Sequence, residues 1–229
     1  VRLDRFIENT LMRSARSVRL LFVERKIKLN GVAVEHGRQH ISSFCRVEVE
    51  GVTLQARQPR YLMLHKPRGC VSATTDRKNP TVLDLIDVPN KDELHLAGRL
   101  DFNTTGLLLL TNDGAWSRKI TQPEERIAKT YRVETRDVIT SEYVEKFEAG
   151  LYFRFENLTT QPAQLQILSN TIAELTIYEG RYHQIKRMFG FFQNEVIGLH
   201  RLSMGAIALD ARLQAGEYRD LSAAEIAAV

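Results

Sequence analysis

The chain has 229 residues, 43% hydrophobic and 26% charged, enough apolar content for one sizeable core and a smaller module. No apolar run reaches the length of a membrane span, no signal-like segment opens the chain, and Cys45 and Cys70 lack the spacing of a disulfide framework or a zinc site, so a cytoplasmic protein with reduced thiols is expected. The net charge of +4 is uneven: residues 1–60 hold 12 Lys/Arg against 6 Asp/Glu and the remainder 20 against 22, which points to a small basic module gripping a polyanion beside a near-neutral larger domain.

Arg2 to Ile7 opens a short amphipathic helix with Leu3, Phe6 and Ile7 on one side. Ser14 caps a second, in which Ala15, Val18 and Phe22 face inward while Arg13, Arg16 and Arg19 recur at helical spacing on another face. Ile27-Lys28-Leu29 and Val32-Ala33-Val34 alternate around Asn30-Gly31, a strong hairpin signal, and Cys45 to Val49 adds a strand. These elements resemble the alpha-L RNA-binding module shared by a ribosomal small-subunit protein and bacterial tyrosyl-tRNA synthetases. The resemblance gives the arginine row a purpose, since guanidinium forks bind phosphate oxygens and release counterions. The module is assigned to residues 1–51, an aperiodic linker to 52–60 and a large domain to 61–229.

Tyr61 to His65 starts that domain as a strand, and Pro80 to Ile86 reads as a proline-initiated helical turn. Next comes Ala97-Gly98-Arg99-Leu100-Asp101-Phe102-Asn103-Thr104-Thr105-Gly106, running into the apolar block Leu107 to Leu110 and closed by Asn112-Asp113-Gly114. The block reads as a buried strand ending in a tight turn that uses positive φ at Asn and Gly. Asp101 then lies on a polar loop beside a core strand. A carboxylate there suits catalysis, and it equally suits bracing the loop through backbone amides; the stretch alone leaves both open. Ala115 to Ile120 fits a helix, and Lys129 to Glu134 a strand with Lys129, Tyr131 and Val133 on one face. Ser141 caps a helix closed by Gly150, and Ala163 to Ile167 and Ala173 to Ile177 are strands. Tyr178 to Phe189 passes from a strand end into a basic, aromatic helix. Two or three short strands around Val196 to Leu209 precede a final helix capped by Ser222 with Glu225 in capping-box register.

Three motifs in this order, Gly98-Arg99-Leu100-Asp101 with Thr104-Thr105-Gly106, Lys129-Thr130-Tyr131, and Glu179-Gly180-Arg181-Tyr182-His183-Gln184-Ile185-Lys186-Arg187-Met188, resemble those of the RNA pseudouridine synthases of the small-subunit ribosomal RNA type. Pro80-Thr81-Val82, His183 with Ile185-Lys186, Asn194 through His200-Arg201, and Gly216 to Arg219 resemble the enzymes acting on 16S more than those acting on 23S RNA. The resemblance implies an α+β fold, a mixed and mostly antiparallel sheet flanked by helices with a cleft across its middle. It assigns Asp101 as catalytic carboxylate, Tyr131 as the ring stacked on the target base, Lys186 as the cation paired with the aspartate, and Arg99 as an occupant of the space left by the flipped base. Arg13, Arg16, Arg19, Arg181 and Arg187 are the other residues expected on RNA. It also implies no cofactor and no metal, and a partner that is 16S ribosomal RNA or an assembling small subunit; a monomer with no membrane partner is expected.

The chemistry suits these residue types. Converting uridine to pseudouridine cuts the N1–C1′ bond, turns the retained uracil and joins C5 to C1′; a carboxylate close by can act as nucleophile or as base. The base must leave its stack, and an aromatic ring offsets part of that cost. Rival readings are a pseudouridine synthase acting on 23S RNA, a hydrolase, which would need a second carboxylate from Asp113, Glu124 or Glu125, and a non-catalytic RNA-binding assembly factor.

Overall fold

Leu3 and Ile7, one helical turn apart, are both buried, and this apolar side sets the helix α1 (Leu3–Leu11). Met12 in the left-handed region ends α1. Ser14 accepts from the Ser17 amide and starts α2 (Ala15–Val23), which buries Val18, Leu21 and Phe22. The strands β1 (Ile27–Leu29) and β2 (Val32–Ala33) turn through Asn30 and Gly31, whose φ values of 50° and 85° are those a two-residue hairpin needs. β3 (Val47–Val49) and β4 (Val52–Gln55) complete a sheet in the order β2-β1-β3-β4. Two expectations are corrected here. Arg13 precedes the cap and lies outside the helix, and the segment read as a linker from 52 contains β4. That strand, with Val52 and Thr53 exposed and Leu54 and Gln55 half-buried, is fixed by pairing with β3 through the Glu50-Gly51 turn, a partner that four residues of sequence do not reveal.

The computed structural model describes residues 1–154 and 156–229 and separates them into two units, Val1–Pro59 and Arg60–Val229. The second unit is built on one mixed sheet. Its strands are β5 (Tyr61–Lys66), β6 (His95–Ala97), β7 (Thr105–Thr111) and β8 (Lys129–Thr135), then, after the small hairpin β9 (Tyr152–Phe153) and β10 (Leu158–Thr159), β11 (Gln164–Ile167), β12 (Ile172–Ile177), β13 (Val196–Met204), β14 (Ile207–Ala208) and β15 (Tyr218–Asp220). The order is β11-β12-β8-β13-β7-β5-β15, with β14 on β13 and β6 on β7; among the described residues β13 and β7 are the one parallel pair of this sheet. The helices are α3 (Gly114–Thr121), α4 (Ser141–Ala149), α5 (Gln184–Gly190) and α6 (Ala223–Ala227). Leu108 and Leu110 face one core with Phe147 and Phe189, while Leu107 and Leu109 face another with Trp116 and Met204, so β7 is buried on both sides.

Three further readings change. Asn112-Asp113-Gly114 is not a positive-φ turn: Asp113 is the cap of α3, accepting from the amides of Ala115 and Trp116 and from the Tyr61 hydroxyl. Ser141 is the first helical residue of α4, preceded by Thr140 at the cap. The strands expected around Val196 to Leu209 are mostly one long strand, β13, whose register shifts between Val196 and Gly198 and between Arg201 and Ser203 break the alternation that sequence reading relies on.

Candidate active site

The strands β6 and β7 form an antiparallel pair, and the loop of residues 98–104 between them carries Arg99 and Asp101. This loop is fixed from beneath. Lys66, wholly buried at the end of β5, donates from Nζ to the carbonyl oxygens of Pro67 (3.0 Å), Asp101 (3.1 Å), Phe102 (3.3 Å) and Thr104 (3.0 Å). Burial pushes the Lys66 pKa down, partly opposed by Asp101. Ser72 accepts from the Leu100 amide at 3.0 Å and donates to its carbonyl at 2.7 Å, and the Gly69 amide donates to Phe102. The side chain of Asp101 is left for other work. Among the described residues no backbone amide donates to its carboxylate, so the bracing role left open by the sequence falls to Lys66 and Ser72.

The Asp101 carboxylate has two neighbours from the far motif, an ammonium and an imidazole. Lys186 on α5 brings Nζ to 3.3 Å from Oδ2, and His183 brings Nε2 to 3.5 Å from Oδ1. His183 sits at φ 48°, ψ 32° just before α5. Its approach is held by Glu179, a buried carboxylate that accepts from the Gln161 amide (2.9 Å), Arg181 Nε (2.8 Å) and Gln184 Nε2 (2.8 Å). Tyr131, on the buried face of β8, lies opposite Arg201 of β13 and Leu175 of β12. Arg201 is itself buried, its Nε donating to the Leu107 carbonyl at 2.7 Å where β13 parts from β7.

Two concavities meet at Asp101. A tight one of about 100 Å³ is lined by Asp101, Tyr131, Lys186, Arg99 and Arg181, and a wider one of about 640 Å³ by Asp101, Tyr131, Phe102, Lys129, Tyr182 and Arg201. Asp101, Tyr131, Lys186, Arg99 and Arg181 are thus brought together. Arg187 is not. Adjacent helical residues point about 100° apart, and its guanidinium makes two 2.5 Å bonds to Glu156 and lies 3.8 Å from the Phe153 ring centroid. In the first unit, Arg13 pairs with Glu50 at 3.1 Å, whereas Arg16 and Arg19 are exposed without an ion-pair partner among the described residues. His183, Lys66 and Ser72 are the site residues that sequence reading did not assign. The only available hint for Lys66 was a lone cation ending an apolar strand. Among the described residues no group of three His, Cys, Asp or Glu could hold a metal ion, and no helix is long and apolar enough to cross a membrane. Asp113, Glu124 and Glu125, the carboxylates a hydrolase would need, do not line either concavity.

Residues 60–190 match the family described as RNA pseudouridylate synthase. The chain is 52% identical to the Pseudomonas aeruginosa protein named ribosomal small subunit pseudouridine synthase A, over all of both chains, and 42% identical to the Escherichia coli protein of the same name, again over all of both. A crystal structure titled as that of a pseudouridylate synthase, 41% identical, matches with a TM-score of 0.73 over 99% of this chain and 98% of the other. Likeness of this extent, running from end to end, has one reading: the chain belongs to the RNA pseudouridylate synthase family.

Proposed function

We propose that this protein isomerises a uridine of small-subunit (16S) ribosomal RNA, free or in an assembling subunit, to pseudouridine, acting as a cytoplasmic monomer. Asp101 is the reacting carboxylate, Lys186 orients it, Tyr131 stacks on the flipped uracil, and Arg99 with Arg181 contacts the RNA around the opened stack. One observation carries the reading: in a chain that is full-length kin to small-subunit pseudouridine synthases, the Asp101 carboxylate lies 3.3 Å from the Lys186 ammonium on the wall of a cavity that Tyr131 also lines.

The reaction follows from that arrangement. A carboxylate at the wall of a cavity can reach the sugar of a nucleotide whose base has entered it, as nucleophile at C1′ or as base toward the sugar. Lys186 and His183 hold its two oxygens from one side, so the group meets its target without searching rotamers. A ring beside it keeps the detached uracil in place while it turns. The C5 proton leaves to solvent as C5 joins C1′, and the freed N1 takes up a proton, so the composition is unchanged and the bond changes balance without a co-reactant.

The test is tritium release from RNA labelled at uridine C5. Asp101→Asn abolishes release and leaves RNA affinity within a few fold, because the lost charge is not a phosphate contact. Release by the variant at the parental rate would remove Asp101 from the chemistry.

A further inference from the structure

Tyr182 is 78% exposed, and its one ring contact among the described residues is the imidazole of His183, stacked at 3.9 Å between centroids with 18° between the planes. One face of the phenol is therefore covered and the other open. The segment is not loose. The Arg181 amide donates to Gln184 Oε1 at 3.0 Å, and Gln184 and Arg181 are both tied to buried Glu179. His183 in turn faces Asp101 across 3.5 Å, so the Tyr182 ring, the His183 ring and the Asp101 carboxylate succeed one another along the wall of the wider concavity. A single exposed tyrosine is ordinary. A rigidly mounted ring with a free face, on the rim of a cavity whose wall also carries Arg99 and Arg181, is the combination that binds unpaired nucleotides by stacking and phosphate contact.

We propose that the free face of Tyr182 is the binding site of the nucleobase adjacent to the target uridine. The inference rests on the isomerase reading above and extends it to a second nucleotide. Extruding a base removes a stacking partner from its neighbours, and a ring at the cavity mouth replaces it. The division of labour follows exposure: Tyr131, 7% exposed and beside Asp101, suits the reacting base, and Tyr182 outside it suits the neighbour. Stacking reads no hydrogen-bonding edge, so this site accepts any base and favours those of larger ring area.

The experiment uses the full chain and an RNA containing the uridine it modifies, with 2-aminopurine placed on either side of that uridine. Stacking quenches 2-aminopurine fluorescence. The parent and Tyr182→Phe quench one flanking position; Tyr182→Leu does not, and binds the unlabelled RNA about 5- to 150-fold more weakly. Tyr152→Ala, which removes an exposed tyrosine absent from either concavity wall, leaves the quench intact. An abasic residue at the quenched position weakens binding by the parent and changes binding by Tyr182→Leu little. Equal quenching by parent and Tyr182→Leu at both flanks, or no loss of parental affinity with an abasic residue at either flank, overturns the proposal. Tritium release run alongside separates the two readings: a parent that releases none from C5-labelled RNA fails as an isomerase, whereas release with no flank effect removes only the Tyr182 site.

Discussion

Asp101 is held through its backbone and kept free at its side chain. The carbonyl of residue 101 is tied to Lys66, the next residue back is tied at both backbone groups to Ser72, and among the described residues the carboxylate pairs with Lys186 and His183. Tyr131 shows a related economy: its ring is packed in the sheet face, and its hydroxyl makes no hydrogen bond among the described residues. Tyr131→Phe therefore keeps RNA affinity close to parental, while Tyr131→Leu loses about 1–3 kcal/mol of binding, measured by titration with labelled RNA. A Phe variant that binds as poorly as Leu would give the hydroxyl a role in binding. His200 offers a pH prediction. Burial, then the charges of His65 and Arg132, lower its pKa; its Nδ1 lies 2.8 Å from the Thr105 hydroxyl and its ring 5.4 Å from that of His65. The unfolded chain thus takes up this proton first, from about 6.5 downward, so stability falls as pH drops from 7 to 5.5, by at most about 1.4 kcal/mol per pH unit for this group. Urea melts across that range show the decline, and His200→Gln reduces its slope; an unchanged slope would place the effect elsewhere, with His95, also lowered by burial, the next group to vary.

At the level of elements, the site depends on how closely β7 approaches β13. Gly106 pairs with Arg201 in a parallel stretch of the sheet, at φ +104°, and a Cβ there would stand 2.3 Å from the Arg201 carbonyl oxygen and 2.6 Å from its nitrogen. Gly106→Ala must push the strands apart and strain its own backbone, at a cost of about 3 kcal/mol. The loop of residues 98–104 ends one residue before β7, so tritium release falls with it. Gly190→Ala, at an open α5 position without positive φ, leaves the urea midpoint unchanged or raises it. What sequence reading reached follows the same line between local and distant causes. Asn30-Gly31, the Ser14 cap and the Ser222–Glu225 capping box are decided within four residues and were legible. Asp113 was misread because Asx residues serve turns and caps alike, and what separates the two here is the helix that follows and a hydroxyl from Tyr61. Lys66 and Arg201 bond to backbone carbonyls of strands and loops far along the chain, which no spacing rule reveals. The meeting of Asp101, Tyr131 and Lys186 was legible only as a set of motifs with a known family pattern. The shared membership of those residues in one cavity is a property of the sheet order.

Over the whole molecule, charge is divided unevenly between the two units. The excess of basic residues lies in residues 1–60, while Asp101 and its partners lie in the unit with slightly more acids than bases. On the function proposed above, a row of guanidinium groups would contribute to RNA affinity by displacing counterions, a contribution that salt erodes, whereas stacking on Tyr131 would be little affected. The three arginines near α2 are not equivalent, however. Arg13 already has a carboxylate at 3.1 Å, so transferring it to phosphate exchanges one anion for another, while Arg16 and Arg19 have no ion pair among the described residues to give up. The double variant Arg16→Ala/Arg19→Ala should therefore lower the slope of log K against log salt by about 1.4–1.8, from roughly 0.7–0.9 per phosphate contact, and Arg13→Ala by clearly less than one contact. Tritium release at saturating RNA should stay near parental in both, since neither touches the Asp101 cavity. Filter binding between 50 and 300 mM salt, on the order of the range where such slopes are measured, decides it. A slope unaltered by the double variant would mean that this exposed face meets solvent and that the polyanion is gripped by other residues of the basic unit.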